Sequence, residues 1–382
     1  MSSSRRVRGA LLTWAIGLGV LRITLWAPEV CPSLTSTGAR ATAVAAGDWI
    51  AANQEPSGRY LYGWNRDDGT PAEDYNLVRH AGVTMSLYQL AEAGEIEFLA
   101  AADQGLEWML DRLEPAGDGL AFTGGDTAKL GAGALLAVSL AHRRIVTDDP
   151  THDDTLLAVT RFLVGQQRDD GSMLNFYDLE AQAPVPDETS VYATGEALWA
   201  IAMVHELFPL EGYRAPALLT LDYLATDRDT DEDFFPQPWP DQWAAYSLAE
   251  MVEWGLEDHH IDYARGLLQR YASFIRFDAQ RGTSYGSLTH GPAPRGSGFG
   301  TWIEGLAELR SMTQVDGRMA DLADGADEAL ACGAARLAEQ QVPASSGTPP
   351  EAAGAWFYDD FTRMDDQQHA ASGMLAAEPV LP

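Results

Sequence analysis

Asn53–Gln54–Glu55–Pro56–Ser57–Gly58–Arg59–Tyr60 and Gln166–Gln167–Arg168–Asp169–Asp170–Gly171–Ser172–Met173 carry the same vocabulary. Each stretch follows a helical segment and runs from a glutamine through a short polar stretch and a Gly and Ser pair to an aromatic or apolar residue. Outward from them, from residue 41 on, apolar residues recur at helical spacing in segment after segment, with no sustained strand alternation between. This predicts twelve helices, near 41–54, 78–94, 98–113, 127–143, 152–167, 190–207, 214–226, 241–254, 258–275, 301–313, 321–341 and 363–377.

The connections alternate in length. Those after even-numbered helices are brief, such as Glu95 to Phe98, and force antiparallel neighbours; those after odd-numbered helices are long, at 55–77, 114–126, 168–189, 227–240, 276–300 and 342–362. Pairs starting at 41, 98, 152, 214, 258 and 321 form a degenerate repeat of about 56 residues, a unit that buries its apolar face only against its neighbours. Closing six pairs into a ring satisfies both ends. The expected fold is all-α, a single (α/α)6 barrel over residues 39–382 with even helices inside, so that every long loop and inner-helix N-terminus lies at one working end.

The Gln and Gly-Ser loop signature resembles that of the α/α toroids. That superfamily includes six-hairpin glycosidases, toroidal polysaccharide lyases, and the terpenoid-cyclase and protein-prenyltransferase group. The resemblance covers residues 41–378 as architecture, and it implies a site on the rim without choosing the chemistry. Tyr60 and Met173 stand where the Gln-Trp repeats of triterpene cyclases have tryptophan.

Charge excludes one class of partner. In 382 residues, 56 Asp and Glu outweigh 25 Lys and Arg to give −31, and nucleic-acid binding requires basic patches instead. Lys129 is the only lysine, and aspartate (33) outnumbers glutamate (23), an acidic, halophilic-type composition suited to high salt, where screening weakens self-repulsion. Residues 1–38 differ: Arg5, Arg6 and Arg8 precede the apolar run Gly9 to Leu21, which reads as a secretory signal or a single membrane anchor followed by a linker. The protein is therefore expected outside the cytoplasm, secreted or anchored; if the N-terminal segment is an over-extended start, it is cytoplasmic. Cys31 and Cys332 could pair there, or both stay free.

Each inner helix begins with polar residues: Asp74–Tyr75–Asn76 before Arg79–His80, Asp126–Thr127 before Lys129, Asp187–Glu188 before Ser190, Asp241 before Trp243, Trp302 before Glu304, and Arg363 before Asp365. Asp126, Thr127, Asp187, Ser190 and Asp241 suit helix capping. Arginine or histidine in a first turn opposes the helix dipole, so Arg79, His80 and Arg363 need a carboxylate or a ligand. Glu188, Tyr192 and Glu196 stand four apart, as do Asp365 and His369, and such spacing lines one helical face. The candidate catalytic residues are Glu188 or Glu196 with Asp74, Glu304 or Asp365. The candidate substrate-binding residues are Asn76, Arg79, His80, Lys129, Tyr192, Trp243, Arg363 and His369, with Trp64 and Tyr177 from the aromatic loops. The plainer reading of the charged set is a buried ion-pair network holding the ring together, and that of the aromatics is loop anchoring. No spaced metal-ligand set appears around His259–His260, the acidic loop 227–233 lacks the glycine and glutamate of an EF-hand, and no cofactor is implied.

Paired carboxylates at the rim of a toroid suggest an extracytoplasmic glycoside hydrolase acting on an oligo- or polysaccharide. Asn76, Arg79, His80 and Tyr192 also match the residue types of uronate lyases or epimerases. A terpenoid-cyclase relative is a third reading, although Asp359–Asp360 and Asp365–Asp366 do not form its Asp-X-Asp-Asp motif. A non-catalytic toroid that binds a glycan or a protein is a fourth.

Overall fold

A computed structural model describes residues 2–24, 27–186, 189–283, 289–345 and 347–382. After α1 (Ser2–Thr24) come six helical pairs: α2 (Ser36–Ala52) with α3 (Leu77–Glu92), α4 (Leu99–Leu110) with α5 (Leu130–Thr147), and α6 (Asp153–Val164) with α7 (Ala193–Leu207). The second half has α8 (Arg214–Thr226) with α10 (Gln242–Glu250), interrupted by the single-turn α9 (Arg228–Asp231), then α11 (Asp258–Ala279) with α12 (Gly296–Val315), and α13 (Ala323–Glu339) with α14 (Met364–Ala377).

The helices α3, α5, α7, α10, α12 and α14 each pack on the next, and α14 packs back on α3, so the ring closes as expected. The first helix of each pair lies outside. Burial follows that division: in α5 every residue from Leu130 to His142 is buried, whereas α11 buries a stripe that includes Ile261, Ala264, Leu268, Tyr271 and Ile275.

The long loops are more ordered than their composition suggests. Strand β1 (Gly63–Asn65) pairs antiparallel with β2 (Thr70–Pro71), and β3 (Leu113–Ala116) with β4 (Gly119–Phe122). Strand β5 (Thr127–Lys129) pairs with β6 (Phe176–Asp178), which pairs with β7 (Ala183–Pro184), and β8 (Phe361–Arg363) pairs with β1. Two strands end where an inner helix begins: Lys129 and Arg363 are the N-caps of α5 and α14. Three expected caps therefore fail. Asp126 and Thr127 sit before or in β5 and Ser190 precedes α7 by more than a cap position, while Asp187 lies outside the described residues. Asp241 does cap α10, accepting from the Trp243 and Ala244 amides, and Asn76 caps α3.

The repeated loop signature is a clasp between successive outer helices. The Gln54 amide donates to Ala101 O on α4, and Gln167 to Pro216 O on α8. Gly58 and Gly171 take φ of +90° and +91°, and a Cβ on either would fall 2.2 Å from a carbonyl oxygen of the same outer helix. A third clasp closes the ring: Gln341 donates to Thr42 O on α2, and Gly354, at φ +82°, abuts Ala45 O.

Among the described residues no helix is long and apolar enough to cross a membrane, so the expected anchor is not supported. Three glycines, Thr13 and Arg22 dilute the apolar residues of α1. The two cysteines are joined: the Cys31–Cys332 disulfide ties the segment after α1 to α13, and the Val30 amide donates to Ala279 O beside it.

Candidate active site

Where the inner helices begin, a cavity of about 440 Å³ opens on the ring axis, and all six pairs contribute to its wall. Asn76 and Arg79 come from the start of α3, Lys129 from the end of β5, Tyr192 and Glu196 from α7 and the residue before it, and Trp243 from α10. Arg363, Asp365 and His369 come from α14 and its cap. Nine of the candidate catalytic and substrate-binding residues thus meet in one place.

Others do not. Asp74 is exposed beyond the α3 cap, because the chain turns inward only at Asn76. His80 is fully buried between Tyr75, which it meets at 2.6 Å, and Gly105 O, and it stacks on Trp108; burial pushes its pKa down to about 3, so it is a neutral core residue. Trp64 and Tyr177 pin their strands against Phe357 and Phe162 and face away from the cavity, which is the loop-anchoring role. Glu304 is fully buried and stands behind His369. Glu188 lies outside the described residues, and α7 begins only at Ala193, so the spacing that joined Glu188 to Tyr192 is not that of one helix. Sequence reasoning also missed wall residues. Phe176 faces the cavity where Tyr177 was expected, a one-residue strand alternation that the three-residue β6 signals too weakly, and Gln242, Ser297 and Gln368 carry no sequence signal beyond polarity.

The charged groups of the wall are sorted by their partners. Asp365 Oδ2 lies 3.2 Å from Arg79 Nε and 3.1 Å from Arg363 Nη2, so the expected ion-pair network exists, centred on Asp365. Burial nevertheless holds the Asp365 carboxyl above the usual carboxylate range, with Asp366 adding to it and the two arginines opposing. Its Oδ1 has no hydrogen-bond partner among the described residues, and neither has Gln368 Nε2. Both side chains are buried, and an orphaned buried polar group costs about 1–3 kcal/mol until a ligand pairs with it.

Glu196 is in a different state. It sits against Gly131, where a Cβ would fall 2.0 Å from its Oε2, so the glycine makes room for the carboxyl group. Burial first, then the charge of Asp241, pushes its pKa up to about 8. His369 is placed by its neighbour: Nδ1 meets Glu304 Oε2 at 2.8 Å, leaving Nε2 to the cavity. Burial works against an imidazolium there, but Glu304 and then Asp365 outweigh it and raise the pKa. Gly300 allows this approach, since a Cβ on it would fall 2.4 Å from the His369 backbone.

Asp222, His259 and His260 bring ligand-type atoms within 4.8 Å of one another, a trio the sequence reading did not expect. Both His Nε2 atoms meet Asp222 Oδ1, at 2.9 and 2.7 Å, and His260 Nδ1 accepts from the Glu257 amide, so its Nε2 carries the proton. That tautomer makes a hydrogen-bonded link between α8 and α11 rather than a metal ligand.

No protein-family model matches the chain, and no curated protein matches it in sequence. Solved structures do match it along most of its length. A cellobiose 2-epimerase from Spirochaeta thermophila shares 15% identity with a TM-score of 0.62, covering 90% of this chain and 97% of that one. An unsaturated glucuronyl hydrolase specific for heparin shares 11% at TM-score 0.60, with 90% and 97% covered, and a type II terpene cyclase from Scytonema shares 14% at 0.56, with 91% and 99% covered. At such identities the likeness shows the fold, which is the α/α toroid.

Proposed function

We propose that this chain is an extracytoplasmic enzyme that hydrolyses a glycosidic bond in the axial cavity, with Glu196 as proton donor and Asp365 as its carboxylate partner. The observation that carries this reading is the unequal surroundings of two carboxyl groups in one polar wall. Glu196, raised to about 8, keeps its proton at neutral pH, whereas Asp365 is held between two guanidinium groups. A proton on Glu196 can pass to the leaving oxygen while Asp365 Oδ1 accepts a proton from the water that attacks the sugar carbon. The unpaired Oδ1 and Gln368 Nε2 suit hydroxyl groups, which donate and accept at once, and the buried face of Trp243 suits a sugar ring. That charged wall disfavours a terpene substrate. The sugar-active neighbours support the substrate class, and the Cys31–Cys332 disulfide supports an oxidising compartment. Release of new reducing ends from an oligosaccharide panel tests the reading: Glu196→Gln should lose about 10²–10⁴-fold in kcat. Full turnover by that variant would overturn it.

A second reading, epimerisation or isomerisation, is favoured by the Glu304-backed His369, whose free Nε2 can move a proton at carbon. Turnover in D₂O separates the two, because only a carbon proton transfer places non-exchangeable deuterium in the product sugar.

A further inference from the structure

We infer that the cavity takes a sugar bearing an anionic substituent, a carboxylate or a phosphate, and that Lys129 selects it; this rests on the sugar reading above. The chain uses arginine at 24 of its 25 basic positions, and its single lysine stands in the cavity wall. Three of the 25 basic residues, Arg79, Lys129 and Arg363, line that wall, so a lysine placed at random among the basic positions would reach it about once in eight.

Helix physics does not account for Lys129. It is the N-cap of α5 and makes no capping hydrogen bond, and a cation at that end is repelled by the helix dipole. It forms no ion pair among the described residues, although the protein carries a surplus of 31 negative charges. The two arginines of the wall, Arg79 and Arg363, both meet Asp365 Oδ2, although the buried Arg363 Nε has no hydrogen-bond partner among the described residues, and His369 is paired with Glu304. Lys129, exposed to solvent, is thus the cation of the wall that no carboxylate among the described residues holds, and the unpaired, buried Gln368 Nε2 in the same wall is a donor without an acceptor. An anionic group would pair with the Lys129 ammonium and accept from Gln368 Nε2. A compact ammonium on a flexible stem also suits this place better than a guanidinium fork, which pairs bidentately with the carboxylates that crowd this chain.

Calorimetric titration of D-glucuronate, D-glucose 6-phosphate and D-glucose, at low and high NaCl, tests the assignment and separates the two anion sources. The wild-type protein should bind one of the anionic sugars about tenfold or more tighter than glucose. That advantage should shrink as salt screens it. Lys129→Gln should lose most of the preference, Lys129→Arg should keep part of it, and Arg276→Gln, exposed outside the cavity, should not move it. Equal binding of the three sugars, or a preference that Lys129→Gln retains, overturns the assignment. Cleavage of a neutral oligosaccharide by the same preparation would then leave the sugar-enzyme reading standing.

Discussion

Glu196 links catalysis to stability through one proton. An ordinary glutamate ionises near 4.5, and Glu196 does so at about 8 because burial and Asp241 penalise its charge. Between those values the folded chain holds a proton that the unfolded chain releases, so this contribution to stability is whole at low pH and is lost as pH rises through about 8. Glu308 is raised to about 8 in the same way, by burial with Glu250 and Glu304, so the total decline has more than one source. Comparison with Glu196→Gln isolates one of them. Thermal unfolding should find the variant gaining on the wild type between pH 5 and pH 9, and a difference that stays flat would contradict the buried-acid assignment. The alkaline limb of wild-type kcat/KM should fall near the same pH, since proton donation ends when Glu196 ionises.

Elements carry the repeat, and the glycine of each clasp shows how. Gly354 and Gly69 both have positive φ, +82° and +70°, but a Cβ on Gly354 would fall 2.3 Å from Ala45 O whereas one on Gly69 meets nothing. Gly69→Ala should therefore cost about 1 kcal/mol of backbone preference. Gly354→Ala should cost about 2–4 kcal/mol, because strain and displacement of the ring-closing loop add to that preference. Chemical denaturation of the two variants measures the gap, and equal losses would mean that the clasp does not bear on closure. The clasps also explain what the sequence disclosed. Gln54 and Gln167 precede their glycines by four residues and are visible as a repeat, but Gln341 and Gly354 stand thirteen apart, so the third clasp is hidden. Helix periodicity located the inner and outer rods because burial repeats over many turns. Strands of two to four residues, such as β5 and β6, set which side chains face the cavity, and they are too short for alternation to register. That is why Arg79 and the Asp365 and His369 pair were legible, whereas Lys129 stood out only as the single lysine and Tyr177 was chosen over Phe176.

For the whole molecule, the N-terminal segment and the surface charge govern stability in different ways. The disulfide joins residues 301 apart, so in the chain-entropy picture reduction frees a large denatured ensemble and should cost about 2–5 kcal/mol, seen as a lower Tm in reductant that Cys31→Ser with Cys332→Ser reproduces. Salt should act in the opposite direction. With a net charge of −31, many carboxylates repel one another across distances comparable to the Debye length, about 10 Å at 0.1 M salt. Screening also weakens exposed ion pairs such as Arg318–Asp258 and Arg66–Asp360, but each contributes only about 0–1 kcal/mol. Repulsion extends over the whole surface and is relieved everywhere at once, so it should prevail. Tm at pH 7.5 should climb as NaCl rises from 0.05 to about 1 M. The climb should shrink at pH 4.5, where protonation removes part of the surplus, and a Tm that falls with salt at neutral pH would show that the ion pairs outweigh the repulsion.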